Sequence, residues 1–149
     1  MPWAMGSTET RMTTKLDLTS LQRALAALDR GLARWGATPA DEELRDACIQ
    51  RFEFTFELAW KMLKRRLEID LPNAAEVDGM TYRTLIRVGA EQGLIGDVAA
   101  WFVYRDKRNI TSHTYDAEKA AEVAAVLPAF ARDAQTLLQR LEARGAKDA

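Results

Sequence analysis

The chain has 149 residues, the length of one ordinary domain, which buries roughly two thirds of its extended-chain surface on folding. Hydrophobic residues at 48% and charged residues at 29% exclude a disordered or fibrous chain, and 21 basic against 22 acidic side chains exclude a whole-chain field that gathers polyanions. Any anion site is therefore a local patch, such as Arg105, Lys107 and Arg108 together.

A single cysteine, Cys48, rules out an internal disulfide, and with one histidine, His113, it leaves no zinc cage in one chain. There is no run of ~18 apolar residues and no charged-then-apolar leader with a small-residue cleavage site, so no membrane association is expected and a cytoplasmic protein is. Residues 1–14 mix Pro, Gly, Ser and Thr without periodicity, which predicts a disordered leader or extension. A single helical bundle over 15–143 and a frayed tail over 144–149 complete the expected organisation.

Leu18, Leu21, Leu25, Leu28, Leu32 and Trp35 alternate steps of three and four, the seam of a bundle helix, with Asp17 or Thr19 to cap it and Gly36 with Pro39 to end it. A second helix is predicted over about 41–70. Leu44, Cys48, Phe52, Thr55, Ala59, Met62 and Leu63 line one face, and Ile49, Phe56, Trp60 and Leu67 widen it beyond what one covered side requires. Either this helix is central, or its second strip meets a dimer partner. Arg51 projects into the stripe, which implies an arginine paired with an acid or one lining an anion site.

Residues 73–80 read as a loop, and Thr81 caps a short helix of Tyr82, Leu85, Ile86 and Val88 that Gly93 and Gly96 separate from the next. Asp97 caps a helix from 98 to about 112. Asp116 caps a last long one in which Val123, Leu127, Phe130, Ala134, Leu137 and Leu141 keep the seam, with a kink expected at Pro128. No segment has strand periodicity. The predicted fold is all-α: a mostly antiparallel bundle of four main helices plus a shorter one.

The face shared by Val98, Trp101 and Phe102 continues onto Arg105, Arg108, Asn109 and Ser112, so an apolar stripe turns polar while still pointing inward. Unpartnered charge there costs several kcal/mol. Pairing of Arg105 and Arg108 with Glu53 or Glu57 would resolve that cost structurally; a ligand anion would resolve it functionally. Arg108 and His113, five residues apart, fall about 140° apart on a continuous helix, so cooperation between them requires the helix to end near Ser112.

The stretch Arg108-Asn109-Ile110-Thr111-Ser112-His113, with a polar residue directly after the arginine, resembles the R-x4-6-H motif of the HEPN superfamily. Together with Arg51-Phe52-Glu53-Phe54-Thr55-Phe56-Glu57-Leu58-Ala59-Trp60-Lys61, it resembles the nucleotidyltransferase substrate-binding branch of that superfamily, the HepT-type toxins, over nearly all of residues 15–141. The resemblance implies an all-helical homodimer, a metal-independent ribonuclease without cofactor in which Arg108 and His113 are catalytic, and an RNA substrate. It also implies an MntA-type nucleotidyltransferase as antitoxin, adding AMP to Tyr115 of His113-Thr114-Tyr115. Arg105, Asn109, Ser112 and Arg51 stand as supporting or phosphate-binding candidates. The alternatives are a non-catalytic partner subunit presenting substrate to the transferase, and a purely structural partner whose polar cluster forms dimer salt bridges.

Overall fold

The computed structural model describes residues 15–148, and every regular element among them is helical. In chain order they are α1 (Thr19–Ala37), α2 (Glu42–Asp70), α3 (Ala74–Asp78), α4 (Tyr82–Glu91), α5 (Val98–Asn109), a single 3-10 turn (Thr111–His113) and α6 (Ala117–Ala146). The all-α expectation holds, with four main helices and the shorter α4, plus one helical turn that the sequence reading leaves as loop. Residues 1–14, expected to form a leader, lie outside the described residues.

The two seams read from the sequence build the middle of the molecule. Leu21, Leu25 and Leu28 of α1 and Val123, Leu127, Phe130, Ala134, Leu137 and Leu141 of α6 are all buried. Both helices pack on α2, whose Cys48, Phe52, Phe56, Ala59, Leu63 and Leu67 are buried on the opposing face. At Gly31 the two helices come so close that a Cβ would lie 3.0 Å from both Cys48 Sγ and Arg51 Nη1, so a hydrogen at this position sets the α1–α2 approach.

The broad apolar face of α2 is covered on a second side by α5, and α4 packs on both α2 and α5. Phe52 and Phe130 meet edge to face at 4.8 Å between centroids, and Trp101 and Tyr104 of α5 stack edgewise against Phe130 at 5.8 and 5.2 Å, an arrangement aromatic quadrupoles favour. This cluster anchors α5. The Tyr104 hydroxyl reaches the Asp133 carboxylate of α6, and Lys107 Nζ donates to Glu122 Oε1 at 2.6 Å, so α5 is tied to α6 at two successive turns.

Caps follow the sequence closely. Asp41, Thr81, Asp97 and Asp116 each accept from a backbone N–H of the first turn of their helices; at α1 the cap position falls instead on Leu18, which has no side-chain cap, and Asp17 accepts from the N–H of Thr19, the first helical residue. Gly93 follows α4 with φ +78°, a conformation that an L side chain resists. Residues 73–80 depart from the predicted loop: Asn73 caps a helical turn through Glu76 N, and burying Val77 holds that turn on the bundle. Pro128 sits exposed on α6, which continues through it unbroken to Ala146, past the expected bundle boundary at 143.

Candidate functional site

Helix α5 ends at Asn109, three residues earlier than the predicted 112, and the local chemistry explains why. The Thr111 hydroxyl donates to the Arg108 carbonyl at 2.8 Å and accepts from Arg108 Nη1 at 3.0 Å, while the Thr114 hydroxyl donates to the Thr111 carbonyl at 3.0 Å. Side-chain oxygens thus take over carbonyls that another helical turn would use. Thr111 is buried, and its two hydrogen bonds with Arg108, one to the carbonyl and one from the guanidinium, hold the guanidinium in place. The sequence reading passes over Thr111, although its position three residues after Arg108 is the signal.

The Arg108 side chain is about one third exposed and faces α2. Its nearest acids are Glu57, with Oε1 3.4 Å from Nε, and Glu53, with Oε2 3.9 Å from Nη1. Neither contact is a hydrogen bond to Nε, which is buried without a hydrogen-bond partner among the described residues. An unmet guanidinium donor of this kind costs free energy unless something else accepts from it. The expected pairing with Glu53 and Glu57 therefore exists for Arg108, but loosely.

Arg105 does not share that pairing. It is exposed, and its guanidinium lies over the Tyr82 ring at 4.9 Å, with no ion pair among the described residues. Arg83 and Arg87 of α4 lie over the Phe102 ring at 4.5 and 5.5 Å, extending the basic surface away from Arg108. Asn109 is exposed at the end of α5. Arg105, Arg108 and Asn109 line one cavity of about 370 Å³ together with Glu57, Trp60 and Tyr82, within the ~300–1,000 Å³ span of small-ligand sites.

His113 closes the 3-10 turn and is exposed, its backbone N–H bonded to the Ile110 carbonyl. Its imidazole lies 6.2 Å from the Tyr115 ring, and no hydrogen bond joins it to the Arg108 side chain among the described residues. Tyr115 is 87% exposed, between the turn and the Asp116 cap, so it is open to a reagent. Ser112 is exposed in the same turn.

Arg51 goes elsewhere. Its Nη1 donates to the Ala27 carbonyl of α1 at 2.7 Å, beside Gly31, so its partner is neither an acid nor the cavity. The structure gathers Arg105, Arg108 and Asn109, sets Ser112, His113 and Tyr115 just beyond on the surface, and separates Arg51.

Burial pushes the Tyr82 phenol well above its ordinary value, with the Arg105 cation opposing, so Tyr82 stays protonated and donates to the Trp101 carbonyl at 2.8 Å. Trp60 Nε1 donates to Glu57 Oε2 at 3.2 Å. These two bonds fix the aromatic walls of the cavity.

Known proteins share this fold. Residues 16–143 match the family described as nucleotidyltransferase substrate binding protein like. The chain is 38% identical over 145 residues to a Haemophilus influenzae protein named probable ribonuclease HepT, the match covering 92% of this chain and 99% of that one. A solved Haemophilus influenzae structure, described as revealing the fold of a substrate binding domain of a nucleotidyltransferase, superposes with a TM-score of 0.81 at 35% identity, over 85% of this chain and 99% of that one. A Thermus thermophilus structure superposes with a TM-score of 0.66 at 32% identity, over 81% and 98% of the two chains.

Proposed function

This chain belongs to the nucleotidyltransferase substrate-binding-protein-like family, and from that membership we propose that it is a HepT-type ribonuclease toxin working as a homodimer. The observation that carries the reading is Arg108: held by Thr111, flanked by carboxylates that leave Nε unmet, and followed by a helix end that puts the lone histidine outside. Phosphate oxygens supply the acceptor that Nε lacks, and the planar fork of arginine matches two of them.

RNA supplies its own nucleophile. The 2′-hydroxyl oxygen attacks the adjacent phosphorus as its proton passes to a base, and the P–O5′ bond breaks as an acid protonates the departing 5′-oxygen. The products are a 2′,3′-cyclic phosphate and a 5′-hydroxyl. Arg108 stabilises the charge gathering on the phosphorane oxygens, and His113 serves as base or acid. One imidazole cannot begin a turnover in both roles, so a second copy of the chain supplies the other His113. No metal or cofactor enters the scheme.

Tyr115 is the regulatory residue of the proposal. A cognate MntA-type transferase transfers AMP from ATP to its hydroxyl, the phenol oxygen attacking the α-phosphorus as pyrophosphate leaves, and the added bulk and negative charge beside His113 exclude RNA by sterics and repulsion. The exposure of Tyr115 supports this role. The structural relative described as a nucleotidyltransferase substrate-binding domain favours a second reading, a non-catalytic subunit presenting substrate to the transferase.

Purified wild-type protein and His113→Ala, each incubated with RNA in excess chelator, separate the two. The nuclease reading expects cleavage by the wild type, ending in cyclic phosphate, and none by the variant. Wild-type protein that leaves RNA intact favours the subunit reading, and a variant that cuts at the wild-type rate removes His113 from the mechanism.

A further inference from the structure

The cavity beside Arg108 is larger and more varied than phosphate binding demands. A phosphate needs cations and N–H donors, whereas this cavity has an aromatic corner and a carboxylate as well. Trp60 of α2 and Tyr82 of α4 stand nearly perpendicular, at 85° and 6.5 Å between centroids. The Arg105 guanidinium covers Tyr82, and Glu57 lies at the foot of the corner between Trp60 Nε1 and Arg108 Nε. The walls are fixed by their own bonds: Tyr82 by its bond to the Trp101 carbonyl, Trp60 by its bond to Glu57, and Lys64, which also lines the cavity, by its ion pair with Asp78 at 2.9 Å.

Unpaired RNA bases are recognised by stacking on aromatic rings and guanidinium planes, with hydrogen bonds made to the base edge. All three elements meet here. We propose that the cavity formed by Glu57, Trp60, Tyr82, Arg105 and Asn109 is a nucleobase subsite, taking an unpaired guanine of the RNA next to the phosphate held by Arg108. Because Arg108 lines the same cavity, base and phosphate fall within one nucleotide of each other.

The choice of guanine follows from Glu57. An ionised carboxylate only accepts, and guanine offers it two adjacent donors, N1–H and N2–H, whereas uracil offers one N–H between two carbonyl oxygens that a carboxylate repels. The Trp60 bond takes one lone-pair site on Glu57 Oε2, where Lys61 Nζ also stands at 4.0 Å, and Oε1 faces Arg108 Nε at 3.4 Å without a hydrogen bond, so acceptor sites remain for a base edge. The inference rests on the nuclease reading for the identity of its substrate as RNA, but the cavity's preference for a base is measurable without cleavage.

The test is titration of the full chain with guanosine 5′-monophosphate, uridine 5′-monophosphate and ribose 5-phosphate, followed by calorimetry and by the indole Nε1–H resonance of Trp60. Guanosine monophosphate should bind about tenfold or more tightly than ribose 5-phosphate, the scale of one base stacked on an aromatic ring, and should shift the Trp60 resonance. Trp60→Leu should abolish the advantage over ribose 5-phosphate. Arg105→Ser, at an exposed position that cannot unsettle the core, should reduce it. Guanosine monophosphate binding no tighter than the other two, or a Trp60 resonance that stays still, overturns the subsite. Base-selective binding by a chain that cuts no RNA sinks the nuclease and keeps the subsite; RNA cleavage without base-selective binding does the reverse.

Discussion

Arg66 and Arg108 both lean on acids of α2, and their surroundings are opposites. Arg66 is 1% exposed, yet each nitrogen of its guanidinium has a partner: Nε and Nη2 reach Asp70, and Nη1 reaches Asp148 at 2.7 Å. Asp70 is shared with Arg144, which also donates to the Gln92 carbonyl at 2.6 Å. Arg108, more open to water, has a buried Nε that makes no hydrogen bond among the described residues, with Glu57 Oε1 3.4 Å away. A buried charge is kept only where it is paired, so the saturated arginine belongs to the fold. The unsaturated one, exposed to a cavity and held by a threonine, is left with capacity for a ligand.

This contrast predicts a clean separation of stability from activity. The largest effect falls on catalysis: Arg108→Ala or His113→Ala should lower RNA cleavage by about 10²–10⁴-fold, the range of one acid-base or charge-stabilising group, and leave the melting temperature nearly unchanged. A large fall in melting temperature for Arg108→Ala would break the contrast. Next comes Arg66→Ala, which leaves Asp70 with Arg144 as its remaining partner and should cost about 1–3 kcal/mol in denaturant unfolding, with cleavage per folded molecule intact.

Thr111→Val sharpens the picture. It removes the Arg108 anchor while keeping shape, and should slow cleavage about tenfold, the worth of a hydrogen bond to a charged group, with a smaller change in unfolding midpoint. The smallest effect is on pH dependence. Burial raises the Asp70 carboxyl, but hydrogen bonds from Arg66 and Arg144 outweigh it and hold the group below its ordinary 3.8. Its stabilisation is therefore present above that value and lost as pH falls through the lowered native one. Asp70→Asn should flatten the acid limb of a stability curve below pH ~4, and an unchanged limb would remove Asp70 from the account.

The seams of α1 and α6 are legible because a 3.6-residue period writes itself directly into Leu21, Leu25, Leu28, Val123, Leu127 and Phe130. The caps are legible because one residue type at one position does the work. Arg51 shows where a wheel projection fails. Arg51 and Arg66 fall about 60° apart on α2, and a projection cannot say which meets an acid. The discriminating signal is Asp70, four residues after Arg66, whereas Arg51 finds the Ala27 carbonyl and no acid among the described residues. The cluster of Arg105, Arg108 and Asn109 is visible along one helix. The cavity is not, because Glu57 and Trp60, Tyr82, and Arg105 come from three helices whose meeting is a tertiary fact.

Helix α2 carries Glu53 and Glu57 for one arginine and the Arg66–Asp70 pair for the other, all on one rigid rod. A single residue inserted between positions 57 and 66 would turn everything beyond it by 100° and part the two ends from one set of partners or the other. Seven inserted residues would restore the angle to within about 20° but lengthen the rod by about 10 Å. Along this stretch the gene is free to change letters far more readily than it is free to change length.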